Sequence, residues 1–168
     1  MQRPILFQNH FNMKKHLYHT TVQWTGNEGK GTLDPKSYNR NHEISCPEKY
    51  NAIRGSSDAA FSGDGKRYNP EDLLVSSISA CHMLWYLHLC AINNIVVTEY
   101  TDKAVGLMEE TSNGSGRFKE VTLHPNIKIT DAQLIQKAIQ LHSEANKMCF
   151  IANSCNFKIN HKPTITVE

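Results

Sequence analysis

The chain has 168 residues, 39% apolar and 8% aromatic, enough for one domain with a core and too few for two comfortable ones. Eighteen basic residues against sixteen acidic ones leave a net charge of +2, and no Lys/Arg run exceeds two residues, which argues against a nucleic-acid footprint. Five cysteines, an odd number with no CxxC pair, argue against a secreted disulfide framework and a zinc ribbon, so reduced thiols in the cytoplasm are expected.

Residues 1–12 read as a polar extension to a domain spanning 13–168, and their one apolar run, Ile5-Leu6-Phe7, is too short for a signal-peptide core. No segment is expected to span a membrane. His16 to Trp24 alternates with β-branched and aromatic residues, which predicts a strand, and a second is expected near Tyr38 to Cys46. Gly26, Gly29 and Gly31 between them do not lead from a strand into a helix, so no phosphate-binding loop is read there. Pro47 to Tyr68 is rich in Gly, Ser, Asp and Lys and reads as loop.

Asn69-Pro70-Glu71-Asp72 is a helix start: a capping residue, a proline suited to the first turn, and two carboxylates that complement the dipole. The helix is predicted to reach Asn93-Asn94, about 35 Å at 1.5 Å per residue. Its predicted apolar stripe is Leu74, Ile78, Cys81, Trp85, His88 and Ile92. Ile95 to Glu109 and Arg117 to Ile129 predict two strands of a long hairpin turning at Ser112-Asn113-Gly114-Ser115-Gly116. Thr130-Asp131 opens a second helix with the stripe Leu134, Ala138, Leu141, Ala145 and Met148; a short segment, Cys149 to Cys155, and two C-terminal strands follow. The order β-β-α-β-β-α-β-β predicts an α+β fold with two helices packed on antiparallel sheet.

A free cysteine in a helix is ordinarily a small buried hydrophobe, and Cys81 admits that reading. As a nucleophile it needs a cation delivered by the fold, because it sits about 16 Å from the helix N-terminus, beyond the dipole's reach. Cys149 ends the second stripe. If the residues after it begin a fresh helical turn, their N–H groups favour a thiolate, with plain burial as the alternative. Cys46, Cys90 and Cys155 are read as structural. His82 and His88 are six residues apart, face different ways on a helix and lie in no HExxH or CxxC frame, so neither a metal site nor a cofactor is expected.

Tyr68-Asn69-Pro70-Glu71-Asp72-Leu73-Leu74, then Ser79-Ala80-Cys81, then Cys149 with its following short segment, closely resemble the OsmC/Ohr family of organic hydroperoxide resistance proteins. The likeness runs from about Met13 to the C-terminus, and the fuller runs Ser79 to His88 and Cys149 to Ser154 look like one OsmC-like subgroup. The resemblance implies an intertwined homodimer of α+β subunits, with no nucleic acid or membrane as partner. It implies that the Cys81 thiolate attacks an organic hydroperoxide and becomes a sulfenic acid. Cys149 then forms a disulfide with it, and an external dithiol reductant restores both. Apolar walls are expected from Leu84, Trp85, Ile78 and Phe150.

The resemblance also implies an arginine held by a glutamate. Glu71 matches the glutamate, yet ten residues of helix place it about 15 Å from Cys81 of its own chain, so Glu71 and the arginine are expected to meet Cys81 across a subunit interface, or the arginine to bridge the two. Ser62 stands where the arginine is expected, which leaves Arg40 as first candidate, with Arg54 and Arg67 behind it. Two other readings stay open: a catalytically weak stress-related or ligand-binding family member that lacks the activating arginine, and a metal-binding protein using Cys81, His82 and His88.

Overall fold

The longest element of the computed structural model, which describes residues 14–168, is helix α1, Pro70–Ile92; the extension 1–12 lies outside the described residues. A capping box starts α1: Asn69 Oδ1 accepts from the Asp72 N–H at 2.7 Å while the Asp72 carboxylate accepts from the Asn69 N–H at 3.3 Å, with Pro70 in the first turn. At its far end Asn93 donates from its amide to the Leu89 carbonyl at 2.8 Å, and Asn94 takes the left-handed conformation, φ 58°, that breaks the helix. Both ends fall where the sequence predicts them.

The buried face does not. It is Ile78, His82, Tyr86 and Cys90, rather than the predicted line from Leu74 through Cys81 and Trp85 to Ile92. Beyond Ile78 the two lines diverge, one residue or 100° apart at Cys81/His82 and Trp85/Tyr86 and two at His88/Cys90, and both are apolar enough to face inward. The outer line leaves Ile92 62% exposed, and Leu84, next to its Trp85, is 64% exposed. This two-sided apolarity also gives α1 the length and hydropathy of a membrane span, a mean of 1.4 over 18 residues, contrary to the expectation that no segment has them.

The described residues fall into two compact units, one ending at Arg67 and one spanning Tyr68–Glu168. The first holds a small antiparallel sheet in the order β1-β2-β3, made of β1 Thr21–Trp24, β2 His42–Ser45 and β3 Ile53–Gly55. The strands are shorter than predicted. The stretch read as loop contains both β3 and a 3₁₀ turn, Ala59–Phe61, pieces of three residues each that carry no readable periodicity.

In the second unit the predicted hairpin is present but broken at its middle. β4 Val97–Asp102 continues into β5 Val105–Glu110, and β6 Gly116–Leu123 into β7 Pro125–Ile129. β4 pairs with β7 and β5 with β6, both antiparallel. The Asp102 carboxylate stands at the break, accepting from the His124 N–H at 2.7 Å and from the Ser79 hydroxyl at 2.5 Å. A third ribbon, β8 Lys158–His161 and β9 Thr164–Val167, joins β6 and β7 in parallel, so the sheets β5-β6-β8 and β4-β7-β9 are mixed rather than purely antiparallel.

Helix α2, Ile135–Met148, follows a 3₁₀ turn at Ala132–Leu134 and buries Ala138, Leu141, His142 and Ala145, close to its predicted stripe. The one-turn helix α3 is Phe150–Asn153. Two cores result. Tyr86 and Cys90 of α1 pack with α2 residues and with Ile127 and Ile129 of β7, whereas Ile78 packs with Val121 and Leu123 of β6. The midpoint of α1, where Ser79 meets Asp102, therefore sits at the junction of the two sheets, and Cys81 lies there.

Candidate active site: a thiol pair between two helices

Cys81 is half-buried in mid α1, and Cys149 is fully buried at the joint between α2 and α3. The joint forms because Cys149 leaves the helical conformation, φ −71° and ψ 110°, and caps the next turn, its sulfur accepting from the Ala152 N–H at 3.3 Å. The Cys81 side chain lies close enough to Cys149 to act on its thiol, and both cysteines are free thiols. Burial, followed by the Cys81 contact, pushes the Cys149 thiol up to about 11, against the opposing pull of the Ala152 and Ile151 N–H groups. The fresh helical turn expected after Cys149 is present, yet burial outweighs it, and Cys149 is a neutral thiol rather than a thiolate.

Leu84, Trp85 and His88, one and two turns beyond Cys81 on its side of α1, line an open apolar recess of about 300 Å³. Phe150, next after Cys149, meets Trp85 edge to face at 6.0 Å and is 68% exposed. Ile78, expected as a wall of this recess, is instead fully buried in the core under β6. Ile78 belongs to both lines of α1, and its packing on Val121 and Leu123 keeps it out of the recess.

Glu71 sits half-buried in the first turn of α1, ten residues or about 15 Å along the helix from Cys81, and forms no ion pair among the described residues. Arg40 belongs to the N-terminal unit. It donates from Nη1 to the carbonyls of Pro35 at 3.0 Å and Tyr38 at 3.2 Å, with its guanidinium 4.7 Å over the Tyr38 ring. Arg54 lies on β3, and Arg67 pairs with Asp64 at 3.4 Å. In the unit that carries Cys81, the one arginine is Arg117, on β6. Of the four residues singled out in the sequence, the structure brings together the two thiols.

A group that sequence reasoning missed lies between the same two helices. His82 Nε2 and His142 Nδ1 share a hydrogen bond at 2.9 Å with both rings fully buried. Their centroid separation of 5.2 Å equals that bond plus the two ring radii, and the planes differ by 10°, so the rings lie edge to edge in one plane. His142 packs face to face on Tyr86 at 4.0 Å, and His161 of β8 stands 5.8 Å from His82 and 6.1 Å from His142. Burial, reinforced by neighbouring imidazoles, lowers His82 to about 4 and His142 to about 3, so both are neutral. His82 thus points into the core, whereas His88 is exposed beside Trp85. The one signal in the sequence was His82 itself, but its partners come from residues 142 and 161, which no local pattern links to it.

A long capped helix crossing two mixed sheets, with one thiol at the crossing and another at the foot of the second helix, defines an OsmC/Ohr-type α+β protein. The chain belongs to the OsmC-like protein family, whose family model matches residues 63–164. Among solved structures it is similar to an OsmC-like protein of unknown function from Vibrio cholerae, at 26% identity and a TM-score of 0.81 over 89% of this chain and all of that one. It is also similar to an organic hydroperoxide resistance protein from Elizabethkingia anophelis, at 22% identity and 0.63 over 92% of this chain and 100% of that one. A third, an organic hydroperoxide resistance protein OsmC from Legionella pneumophila, is 17% identical with a TM-score of 0.61, covering 90% of this chain and 99% of that one. No curated protein matches the sequence.

Proposed function

We propose that this protein is a thiol peroxidase that reduces organic hydroperoxides to alcohols with Cys81 and Cys149. The observation that carries the reading is the thiol pair itself: two free cysteines close enough for one to act on the other, beside an apolar recess. The Cys81 thiolate attacks the terminal peroxide oxygen; the O–O bond breaks, the sulfur becomes a sulfenic acid, and the alkoxide leaves as alcohol after taking a proton. Cys149, already in contact, displaces the sulfenic hydroxyl. Its own proton goes to that hydroxyl, so a disulfide and water form, and an external dithiol returns both cysteines to thiols. A neutral Cys149 suits this order, since it leaves Cys81 to react first. The recess at Leu84, Trp85 and His88 favours an alkyl or lipid-like hydroperoxide, whose affinity grows with buried apolar area. No metal or cofactor takes part in these steps.

Ionising Cys81 requires a positive group, and we assign this to Arg40, oriented by Glu71, brought to Cys81 by a homodimer. Support comes from the exposed apolar line on α1 and α3, including Leu84 and Phe150, a face suited to a second copy of the chain. A cytoplasmic location follows from the need for reduced thiols. The test is to mix reduced protein with an organic hydroperoxide, follow thiol loss, and map the product. A Cys81–Cys149 disulfide formed within seconds is expected, and Cys149→Ser should accumulate sulfenic acid at Cys81; an untouched Cys81 in that variant would overturn the assignment.

A second reading, a catalytically weak stress-related or ligand-binding member of the family, is favoured by one observation: the Arg40 guanidinium is held by the Pro35 and Tyr38 carbonyls of its own loop. Its expected result is a thiol pair that ignores hydroperoxides and an Arg40→Ala variant indistinguishable from the parent.

A further inference from the structure

The side of α2 turned to α1 is Ala138, His142, Ala145 and, past the helix end, Cys149, all fully buried. Cys149 meets Cys81, while His142 meets His82 and Tyr86 further along α1, so the two helices run antiparallel. Two of these four residues are alanines. Their side chains make shallow ridges, and apolar contact has no direction of its own, so packing alone opposes a slide of one helix along the other only weakly. Among the described residues, the one hydrogen bond between side chains of α1 and α2 is His82–His142.

Stability does not account for two imidazoles at this point. Each keeps one buried ring nitrogen without a partner, Nδ1 of His82 and Nε2 of His142. That is a desolvation cost an apolar pair would not carry. What the pair adds is direction, because an in-line N–H···N bond fails quickly with displacement or tilt.

We propose that the His82–His142 hydrogen bond is the register pin of the α1–α2 interface, which makes both histidines positioning residues for the Cys81–Cys149 thiol pair. His82 follows Cys81 directly, and His142 lies two helical turns before Cys149, so a pin here holds both sulfurs at once. A slip of a single residue along either helix moves a sulfur by about 1.5 Å. That is a large error for a bond that must close to about 2.05 Å. The inference rests on the dithiol reading above.

The test is the equilibrium of the protein with glutathione. Cys81 and Cys149 lose two hydrogens to form their disulfide while one glutathione disulfide becomes two glutathione thiols, and the ratio at balance gives the effective concentration of the two cysteines. Peptide mapping reads that one disulfide. His82→Gln with His142→Asn places amide groups where Nε2 and Nδ1 stood and is expected to stay within about threefold of the parent. His82→Leu with His142→Leu fills the space without the bond. It should keep or raise the thermal midpoint yet lower the effective concentration about tenfold, equal to a rise of about 30 mV in reduction potential. A folded leucine pair with the parent's effective concentration would overturn the proposal, as would an amide pair as weak as the leucine pair. If the leucine pair does not fold, His82→Gln with His142→Ala carries the same comparison. A parent protein that forms no Cys81–Cys149 disulfide at any glutathione ratio removes the dithiol reading itself; a parent that forms it, beside unmoved variants, removes only the pin.

Discussion

Lowering the pH from 7.5 to 5 should remove about 4 kcal/mol of folding stability through two side chains, His82 and His142. Both are fully buried and neutral, with pKa values near 4 and 3 against 6.5 for the free group. Folded values below the unfolded one mean that the unfolded chain binds protons first. The stabilisation is therefore complete above pH 6.5 and is lost as pH falls from there towards 4. At pH 5 each ring contributes a loss of about 2 kcal/mol, and near that pH the two together give a slope approaching ~2.7 kcal/mol per pH unit. His161, also lowered by burial, acts in the same direction. Such a loss is a large share of the ~5–15 kcal/mol that holds a domain of this size together. Urea unfolding at fixed protein concentration, at pH 7.5, 6 and 5, measures it. The His82→Gln/His142→Asn protein is the control, because amides do not titrate and carboxylate effects are common to both. A fall of less than about 1 kcal/mol in the parent, or an equal fall in the control, would refute the claim that these rings are buried neutral.

Three further outcomes are expected. Because the Cys149 thiol sits at about 11, iodoacetamide at pH 8 should leave Cys149 unmodified in the folded, reduced protein, with its rate rising about tenfold per pH unit above that; mass spectrometry of the peptides decides. Ile78→Ala, which empties a fully buried site under β6, should cost about 2–5 kcal/mol by urea unfolding without changing far-ultraviolet circular dichroism at low denaturant. Gly106→Ala should cost about 1–3 kcal/mol, since a Cβ there meets Phe118 Cε1 at 2.6 Å and Val75 Cγ2 at 2.7 Å, and a variant as stable as the parent would show that α1 and β5 lie further apart than described.

Local chemistry was enough for some of this protein. The cap at Asn69, the proline in the first turn and the break at Asn93-Asn94 are written in adjacent residues, so α1 was readable to within a residue at each end. So were the α2 stripe and the hairpin pairing, because periodicities of 3.6 and 2 survive in their segments. Which of two apolar lines on α1 faces inward was not readable, and with it went the placement of His82. That choice belongs to whatever packs against the helix. The mid-hairpin break follows from Asp102 reaching both Ser79 and His124, and the parallel third ribbon from residues 35 or more positions away in sequence. The meeting of Cys81 with Cys149, implied by family likeness, and that of His82 with His142, implied by nothing in the sequence, are tertiary facts of one kind. Each depends on how two helices lie along one another, and side-chain order within either helix carries no record of that.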